Sequence, residues 1–237
     1  MRRLGLMIAL AAPNPTPALA ATATAPDVVV YADPTVAPAM ADLGRDFRAR
    51  TGVPVRVFPM TSDGAVSLVR QGARNDVLAI AATVADAARG RDLARSPVLT
   101  VHDPLVLAVP AGVATTVAEA VRADRAVATV DPLSADRLDG ATLAGRLGFT
   151  HVAGQPNGPD AAAAVVRGTA RVALIERADA RRAGLQEVGV IADAPVRAYA
   201  IAVGRNAITP ELDRFVAYLA SPGAAVLLHA DGWETAP

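Results

Sequence analysis

The sequence offers few side chains of the kinds that enzymes use for catalysis, and those few are far apart. The histidines His102, His151 and His229 are isolated, and the chain contains no cysteine. No H-E-x-x-H metal motif and no G-x-S-x-G nucleophile motif occurs. His102 and Asp103 are adjacent, and we interpret the pair as structural. The sequence therefore predicts no catalytic residues, and we expect that the protein is not an enzyme.

Three carboxylates lie near the ends of predicted strands or the starts of predicted helices, where they could contact a ligand. Asp33 follows a Val-rich run, Asp63 lies near a predicted helix start, and Glu176 ends another apolar run. Carboxylate oxygens are the ligands that hard cations prefer, so a metal site is one hypothesis. Alternatively, Asp33 and Asp63 lie in first turns of helices, where a negative charge suits the helix dipole. Glu176 fits solvent and a cleft equally well.

Hydroxyl side chains lie beside these carboxylates. Thr35 precedes one predicted helix and Ser62 precedes another. A serine or threonine at the N-cap stabilises a helix by about 1 kcal/mol. A capping role therefore competes with a ligand-binding role at both positions.

The elements that would position these residues alternate between strand and helix patterns. Short apolar runs rich in Val and Ile alternate with apolar stripes of helical spacing, which indicates an α/β fold. The stripe Val36, Met40, Leu43 and Phe47 predicts a helix that ends at Gly52. A first strand is predicted at 28–31, and further strands at 53–58, 77–80, 126–130, 172–175 and 196–203, with one or two strands in 97–109 interrupted at 102–104. Helices are predicted at 65–71, 83–89, 116–122, 138–147, 159–167 and after Thr209 and Ser221.

The N-terminus predicts export. Arg2 and Arg3 precede an apolar run too short to span a bilayer, and residues 18–20 read Ala-Leu-Ala. These are the parts of a secretory signal peptide at 1–20. No cysteine follows to accept a lipid, so we expect a soluble, periplasmic monomer that starts near Ala21.

Charge and composition exclude several classes of partner. All 23 basic residues are arginines, and removal of the leader leaves 21 of them against 23 acidic residues, a formal charge of −2. Nucleic-acid binding requires a strongly basic face, so we expect no nucleic-acid partner. Aromatic residues make up only 3% of the chain, which argues against stacking platforms for bases or sugars.

Several strings, in order along the chain, resemble the periplasmic molybdate-binding family of ABC importers. Each string alone is weak, but their order and spacing cover nearly all of 27–233. They are VVVYADPT at 28–35, TSDG at 61–64, QGARNDV at 71–77, DP at 131–132, ADA at 178–180, and SPG with the closing GW at 221–223 and 232–233.

This resemblance implies a two-lobed fold of the type II periplasmic-binding-protein kind. Two strands cross between the lobes, near 102–104 and near 193–197, and the ligand lies in the cleft between the lobes. One lobe would comprise residues 21–103 and 196–237, and the other residues 104–195.

The resemblance also implies contact positions for a tetrahedral oxyanion. That family holds its ligand with hydroxyls and with backbone N–H groups at helix starts, where unpaired donors carry a partial positive charge. Thr35 keeps a hydroxyl, and Gly158 keeps a backbone N–H. The matching positions in this sequence are Thr35, Asp63, Arg137, Gly158 and Glu176.

Three of these positions depart from the family pattern. Asp63 replaces a serine, although Thr61 and Ser62 are adjacent and a shift of one residue would supply a hydroxyl. Glu176 replaces a tyrosine, and Arg137 replaces a small residue. Ionised carboxylates repel a dianion, so we expect weak molybdate binding that improves at least tenfold in Asp63→Ser with Glu176→Tyr.

The implied role is a receptor that delivers a small solute or oxyanion to an ABC permease, without a cofactor. Asp63 and Glu176 opposed by Arg137 would suit a ligand with an amine or a bound cation as well as an acidic group. A carboxylate-lined cation-binding protein on the same fold is an alternative. A sensor, or a partner of an exported enzyme, is another.

Overall fold

The computed structural model describes residues 27–94, 96–113, 116–122, 126–130, 140–192, 194 and 196–235. Two mixed β-sheets with packed helices confirm the predicted α/β class. The strands are β1 (Val28–Ala32), β2 (Val55–Pro59), β3 (Val77–Ala81), β4 (Leu99–Asp103), β5 (Leu105–Val109), β6 (Val127–Val130), β7 (Val152–Gln155), β8 (Val172–Glu176), β9 (Gln186–Val190), β10 (Arg197–Val203) and β11 (Glu234–Thr235).

The described helices cover both sheets. They are α1 (Ala37–Thr51), α2 (Ser62–Arg70), α3 (Ala82–Ala88), α4 (Val117–Arg122), α5 (Gly140–Arg146), α6 (Gly158–Val166), α7 (Arg177–Arg182), α8 (Leu212–Leu219) and α9 (Pro222–Ala230). None of them combines the length with the apolar character that a membrane crossing requires.

The two sheets are separate. The first has the order β11-β4-β10-β3-β1-β2, and the second has the order β7-β6-β8-β5-β9. β1 is parallel to β2 and β3, whereas β10 is antiparallel to β3 and β4. In the second sheet β6 is parallel to β7 and β8, and β5 is antiparallel to β8 and β9.

The chain passes between the sheets twice. Only Pro104 separates β4 in the first sheet from β5 in the second, and residues 191–196 lead back from β9 to β10. The predicted crossing strands are therefore present. The division into lobes of 21–103 with 196–237 and of 104–195 stays a prediction.

One edge of the first sheet collects the starts of three helices. Because β1, β2 and β3 are parallel, their carboxyl ends meet at one edge, and α1, α2 and α3 begin there. In α/β proteins, ligands bind in the crevice outside the carboxyl ends of such strands.

Local sequence explains α1 well. Its predicted stripe of Val36, Met40, Leu43 and Phe47 is buried against the first sheet, in a core that also holds Phe215. Gly52 ends the helix with φ of 77°, a left-handed conformation that glycine adopts without strain. An apolar stripe and a terminal glycine are sufficient to define this helix.

Other predicted helix starts were wrong. α2 begins at Ser62, earlier than the predicted residue 65, and its N-cap is Thr61, whose hydroxyl accepts a hydrogen bond from Gly64 N. Thr209 does not cap α8, which begins at Leu212. Instead, the Thr209 hydroxyl donates to the buried Asp76 carboxylate at 2.5 Å. Thr209 therefore hydrogen-bonds an acid that is distant in the sequence instead of capping α8.

Candidate functional site

A cleft of about 990 Å³ lies between residues of the two sheets. From the first sheet it is lined by the residues after β1, β2 and β3 and by the start of β10. From the second sheet it is lined by Pro156, Asn157, Pro159 and Asp160, which follow β7 and open α6. The cleft thus lies at the edge where the helix starts meet.

We call the lining residues that follow β1, β2 and β3 the first wall of the cleft, and Asp33 is its central polar group. The residue is 8% exposed, and its carboxylate accepts a hydrogen bond from Ser62 Oγ at 2.7 Å and another from Thr35 N at 3.3 Å. Ser62 Oγ in turn accepts from Ala81 N at 2.9 Å. One carboxylate therefore ties together the loops that follow β1 and β2, and Ser62 extends the network to β3.

The same residue organises the start of α1 through its backbone. The carbonyl of Asp33 accepts hydrogen bonds from Val36 N at 3.0 Å and Ala37 N at 2.8 Å. Together with the side-chain bond to Thr35 N, these contacts satisfy the first donors of the α1 entry within the chain itself.

Tyr199 forms part of the cleft floor. It lies on β10, is 2% exposed, and shares a side-chain hydrogen bond with Thr35. Burial raises the pKa of Tyr199, so it stays a neutral phenol at neutral pH. The hydroxyl is available as a hydrogen-bonding group but not as an anion.

The second wall is the start of α6. Asn157 is its N-cap and accepts from Asp160 N at 2.8 Å, and Pro159 follows Gly158 within the first turn. Asp160 also lines the cleft. A Cβ on Gly158 would lie 1.9 Å from Asp179 Oδ2, so the carboxylate of Asp179 packs directly against this helix start.

Arg197 connects the cleft to a buried acid. Its Nε lies 3.0 Å from Glu176 Oε1, and Glu176 is 3% exposed. Arg197 lines the cleft, whereas Glu176 lies behind it. The positive charge at the cleft floor is therefore paired with a negative charge beneath it.

A further acid, Asp103, lies at the crossing beside this pair. It ends β4, opposite Arg197 in the β4–β10 register. Burial, with a further contribution from the charge of Glu176, raises the pKa of Asp103 to about 8, although a hydrogen bond from Ala178 N opposes the shift. Asp103 is therefore largely protonated at neutral pH.

The structure places the sequence-predicted residues in three groups. Thr35, Thr61, Ser62 and Asp63 line the cleft. Gly158 and Glu176 lie next to each other behind the second wall and the floor, since a Cβ on Gly158 would lie 3.4 Å from Glu176 Oε2. Arg137 and the motif at 131–132 lie outside the described residues.

Sequence reasoning assigned no ligand role to Arg197, Tyr199 or Asp160, and it gave Asp33 only a metal or first-turn role. Arg197 and Tyr199 are two apart on β10, so they share one face of the strand. That spacing of polar groups in an apolar strand was the available signal. The contact of Asp33 with Ser62 joins residues 29 apart in sequence and had no local signal.

The metal hypothesis receives no support. In the described ranges, no three His, Cys, Asp or Glu residues form a group suited to a metal ion. Asp33 and Asp63 both line the cleft, but Glu176 is directed to Arg197.

Two comparisons now bear on the fold and the family. Residues 28–234 match the family model described as bacterial extracellular solute-binding protein. No curated protein is similar enough in sequence to count as a relative.

Solved structures share the fold at low sequence identity. The substrate-binding domain of a molybdenum ABC transporter from Clostridium difficile superposes with a TM-score of 0.73 at 15% identity, over 89% of this chain and 99% of that one. The periplasmic molybdate-binding protein of Azotobacter vinelandii gives 0.70 at 16% identity, over 89% and 100%. Iron-bound HitA from Pseudomonas aeruginosa gives 0.57 at 17% identity, over 86% and 84%. These matches agree with the predicted two-lobed binding-protein class and leave the bound species open.

Proposed function

The chain belongs to the bacterial extracellular solute-binding protein family, and we propose that it captures a small solute in this cleft and delivers it to an ABC permease. On this proposal the protein is exported through residues 1–20 and works in the periplasm as a monomer. Residues 21–103 with 196–237 form one lobe, and residues 104–195 form the other.

The observation that carries the proposal is the composition of the cleft. A cavity of about 990 Å³ falls in the size range of small-molecule sites, and polar side chains reach it from both sheets. The chain passes between the sheets at Pro104 and again between β9 and β10, so a small rotation at these two crossings would close the walls on a solute.

The proposed ligand contacts follow the walls. Thr35, Thr61, Ser62 and Asp63 would meet the solute from the first wall. Gly158 would act through the start of α6, and Glu176 would orient Arg197 toward the solute. Arg137 remains a proposed contact from the second lobe.

Charge at the first wall argues against a simple dianion as the solute. At about 4 Å and an effective dielectric constant near 20, two unit charges interact by about 4 kcal/mol, and a dianion doubles the repulsion from one carboxylate. Asp33 is held in the wall by Ser62 and Thr35, and Asp63 stands beside it. We therefore expect molybdate to bind weakly, even though the fold is shared with molybdate-binding proteins.

A thermal-shift panel tests the receptor function. The protein is melted with amino acids, sugars, polyamines, oxyanions and metal ions, each at a concentration well above micromolar. A ligand at one hundred times its dissociation constant stabilises by about 2.7 kcal/mol, which corresponds to about 5–10 °C for a chain of this size. Sodium chloride at matched ionic strength is the control.

Small-angle scattering supplies the second measurement. We expect the compound that raises the melting temperature also to reduce the radius of gyration, because the lobes close on it. A panel without any stabilising solute, together with an unchanged scattering curve, would contradict a solute receptor.

A further inference from the structure

We propose that the cleft selects a solute with a positively charged nitrogen group, an ammonium or a guanidinium, and that Asp33 and Asp63 receive this group. The inference rests on the proposed function, because it names the class of solute that the receptor takes. Four features of the described walls lead to it.

The donors around Asp33 at the start of α1 are already used. Thr35 N–H and the Ser62 hydroxyl donate to the Asp33 carboxylate, and Val36 N–H and Ala37 N–H donate to the Asp33 carbonyl. Hydroxyls and N–H groups at a helix start would otherwise suit a bound anion. Here an oxyanion would have to displace a carboxylate that belongs to the protein.

The start of α6 in the second wall also has few donors to offer and has a carboxylate packed against it. In the first turn of α6, Pro159 has no N–H, and Asp160 N–H is bonded to Asn157 at 2.8 Å. Asp179 Oδ2 is packed against Gly158, where a Cβ would meet it at 1.9 Å. Each wall therefore holds a carboxylate of the protein at the helix start where a bound anion would otherwise be attracted.

The charge balance of the cleft points the same way. Its described lining carries three aspartates, Asp33, Asp63 and Asp160, against one arginine. That arginine, Arg197, is paired with Glu176 at 3.0 Å. A cationic solute would neutralise part of this excess, whereas an anionic solute would add to it.

The size of the cleft favours an organic cation over a metal ion. A metal ion needs several ligands within about 2.6 Å, and the described residues hold no group of three or more suited to one. A volume of about 990 Å³ is that of a small-molecule site. Ammonium and guanidinium groups bring directional N–H donors, which carboxylates and hydroxyls accept.

The test is calorimetry on the full chain and on three variants, two in the cleft and one control. The probes are agmatine, which carries a guanidinium and an ammonium, putrescine, which carries two ammonium groups, and the dianions molybdate and sulfate. We expect agmatine or putrescine to bind, and molybdate and sulfate to give no heat at the same concentrations. Asp33→Asn should weaken the bound cation at least tenfold, because it removes the charge and leaves the shape.

Asp42→Asn is the matched control. Asp42 pairs with Arg45 on α1 outside the cleft, so the same chemical change there should leave the affinity within twofold. Should Asp33→Asn fail to fold by circular dichroism, Asp63→Asn takes its place. Asp63 is exposed at the first turn of α2, and its variant should weaken the cation by at least threefold.

The outcomes separate the inference from the receptor function. Submicromolar molybdate or sulfate binding, or binding of a neutral solute or a metal ion with no response to either organic cation, would overturn the inference and leave the receptor intact. Cation binding that Asp33→Asn and Asp63→Asn both leave unchanged would also overturn it. If no class of solute in the thermal-shift panel binds, both the inference and the receptor function are contradicted.

Discussion

The first sheet buries an aspartate at each of its two ends, and their surroundings differ. Asp76 precedes β3 at the end away from the cleft and accepts five hydrogen bonds. The donors are Val29 N, Ile208 N, Thr209 N, Thr209 Oγ1 and Arg74 Nη2. Asp103 ends β4 at the cleft end, accepts one from Ala178 N at 3.1 Å, and has no partner for Oδ2 among the described residues.

Their pKa values move in opposite directions. Burial alone would raise the pKa of Asp76, but the hydrogen bonds from Thr209, Val29 and Ile208 lower it below the usual value. Burial and the charge of neighbouring Glu176 together raise the pKa of Asp103 to about 8. Both side chains are closed to solvent, but the donors around Asp76 favour its ionised form, whereas burial and the neighbouring charge of Glu176 favour the protonated form of Asp103. The end of the sheet away from the cleft, which we call the closed end, therefore stabilises its buried acid, whereas burial of acids at the cleft end lowers the stability of the fold.

Removal of the Asp76 carboxylate gives the largest effect that we predict. Asp76→Ala leaves two buried N–H groups, of Val29 and Thr209, and the part-buried N–H of Ile208 without their acceptor, and it takes a partner from Arg74. Loss of one partner of a buried, charged network costs about 3–5 kcal/mol. Urea unfolding at pH 7 should show this loss in the free energy of unfolding.

A surface aspartate provides the control for this variant. Asp86 is exposed and pairs with Arg89 three residues away on the surface. Asp86→Ala should stay within about 0.5 kcal/mol of the parent. If Asp76→Ala also lies within 1 kcal/mol, the hydrogen bonds at the closed end do not stabilise the fold as described.

The variant Asp103→Asn tests the cleft end and should give a smaller effect that depends on pH. The folded pKa of about 8 lies above the unfolded value of about 3.9, so the folded state holds a proton that the unfolded state releases between them. This contribution is complete below about pH 4 and is lost as the pH rises through 8, by about 1.4 kcal/mol per pH unit. Between pH 6 and 8, the parent should lose about 2 kcal/mol more than the variant.

The sign of this change separates the two ends of the sheet. Asp76 has a lowered pKa, so its contribution is present above about pH 4 and is lost as the pH falls through the folded value. Denaturant melts at pH 2.5, 3.5, 5, 6.5, 8 and 9 measure both trends, and Asp86→Asn should follow the parent at pH 5 and above. Parallel curves for the parent and Asp103→Asn would show that Asp103 is ionised across this range.

Elements with strong local patterns could be predicted from the sequence. The stripe from Val36 to Phe47 specifies α1, and Ser221 and Pro222 specify the start of α9, where Ser221 Oγ accepts from Ala224 N. β7 and β9 were not predicted. β7 is four residues long with exposed positions, and β9 contains Gly189 and no fully buried residue, so neither gives a clear strand pattern.

The chemistry of the cleft could be predicted only in part. Thr35, Ser62 and Asp63 lie next to apolar runs, so the position of a wall could be inferred from local signals. The contacts that decide its charge join distant residues, such as Asp33 with Ser62 and Glu176 with Arg197. Periodicity and capping rules describe near neighbours and contain no information about such pairs.

The smallest effect that we predict tests how tightly the acids at the cleft end are packed. Gly158→Ala places a Cβ 1.9 Å from Asp179 Oδ2 and 2.9 Å from its Cγ, and because Asp179 is buried, either the carboxylate or α6 must move. Such overpacking should cost about 1–2 kcal/mol in urea unfolding at pH 7. Gly145→Ala is the matched control, since its Cβ meets nothing within 4 Å on α5, and alanine there should be neutral or stabilise by up to about 1 kcal/mol. Equal results for the two variants would mean that Asp179 moves away freely, and the second wall would then lack the fixed negative charge that opposes an oxyanion.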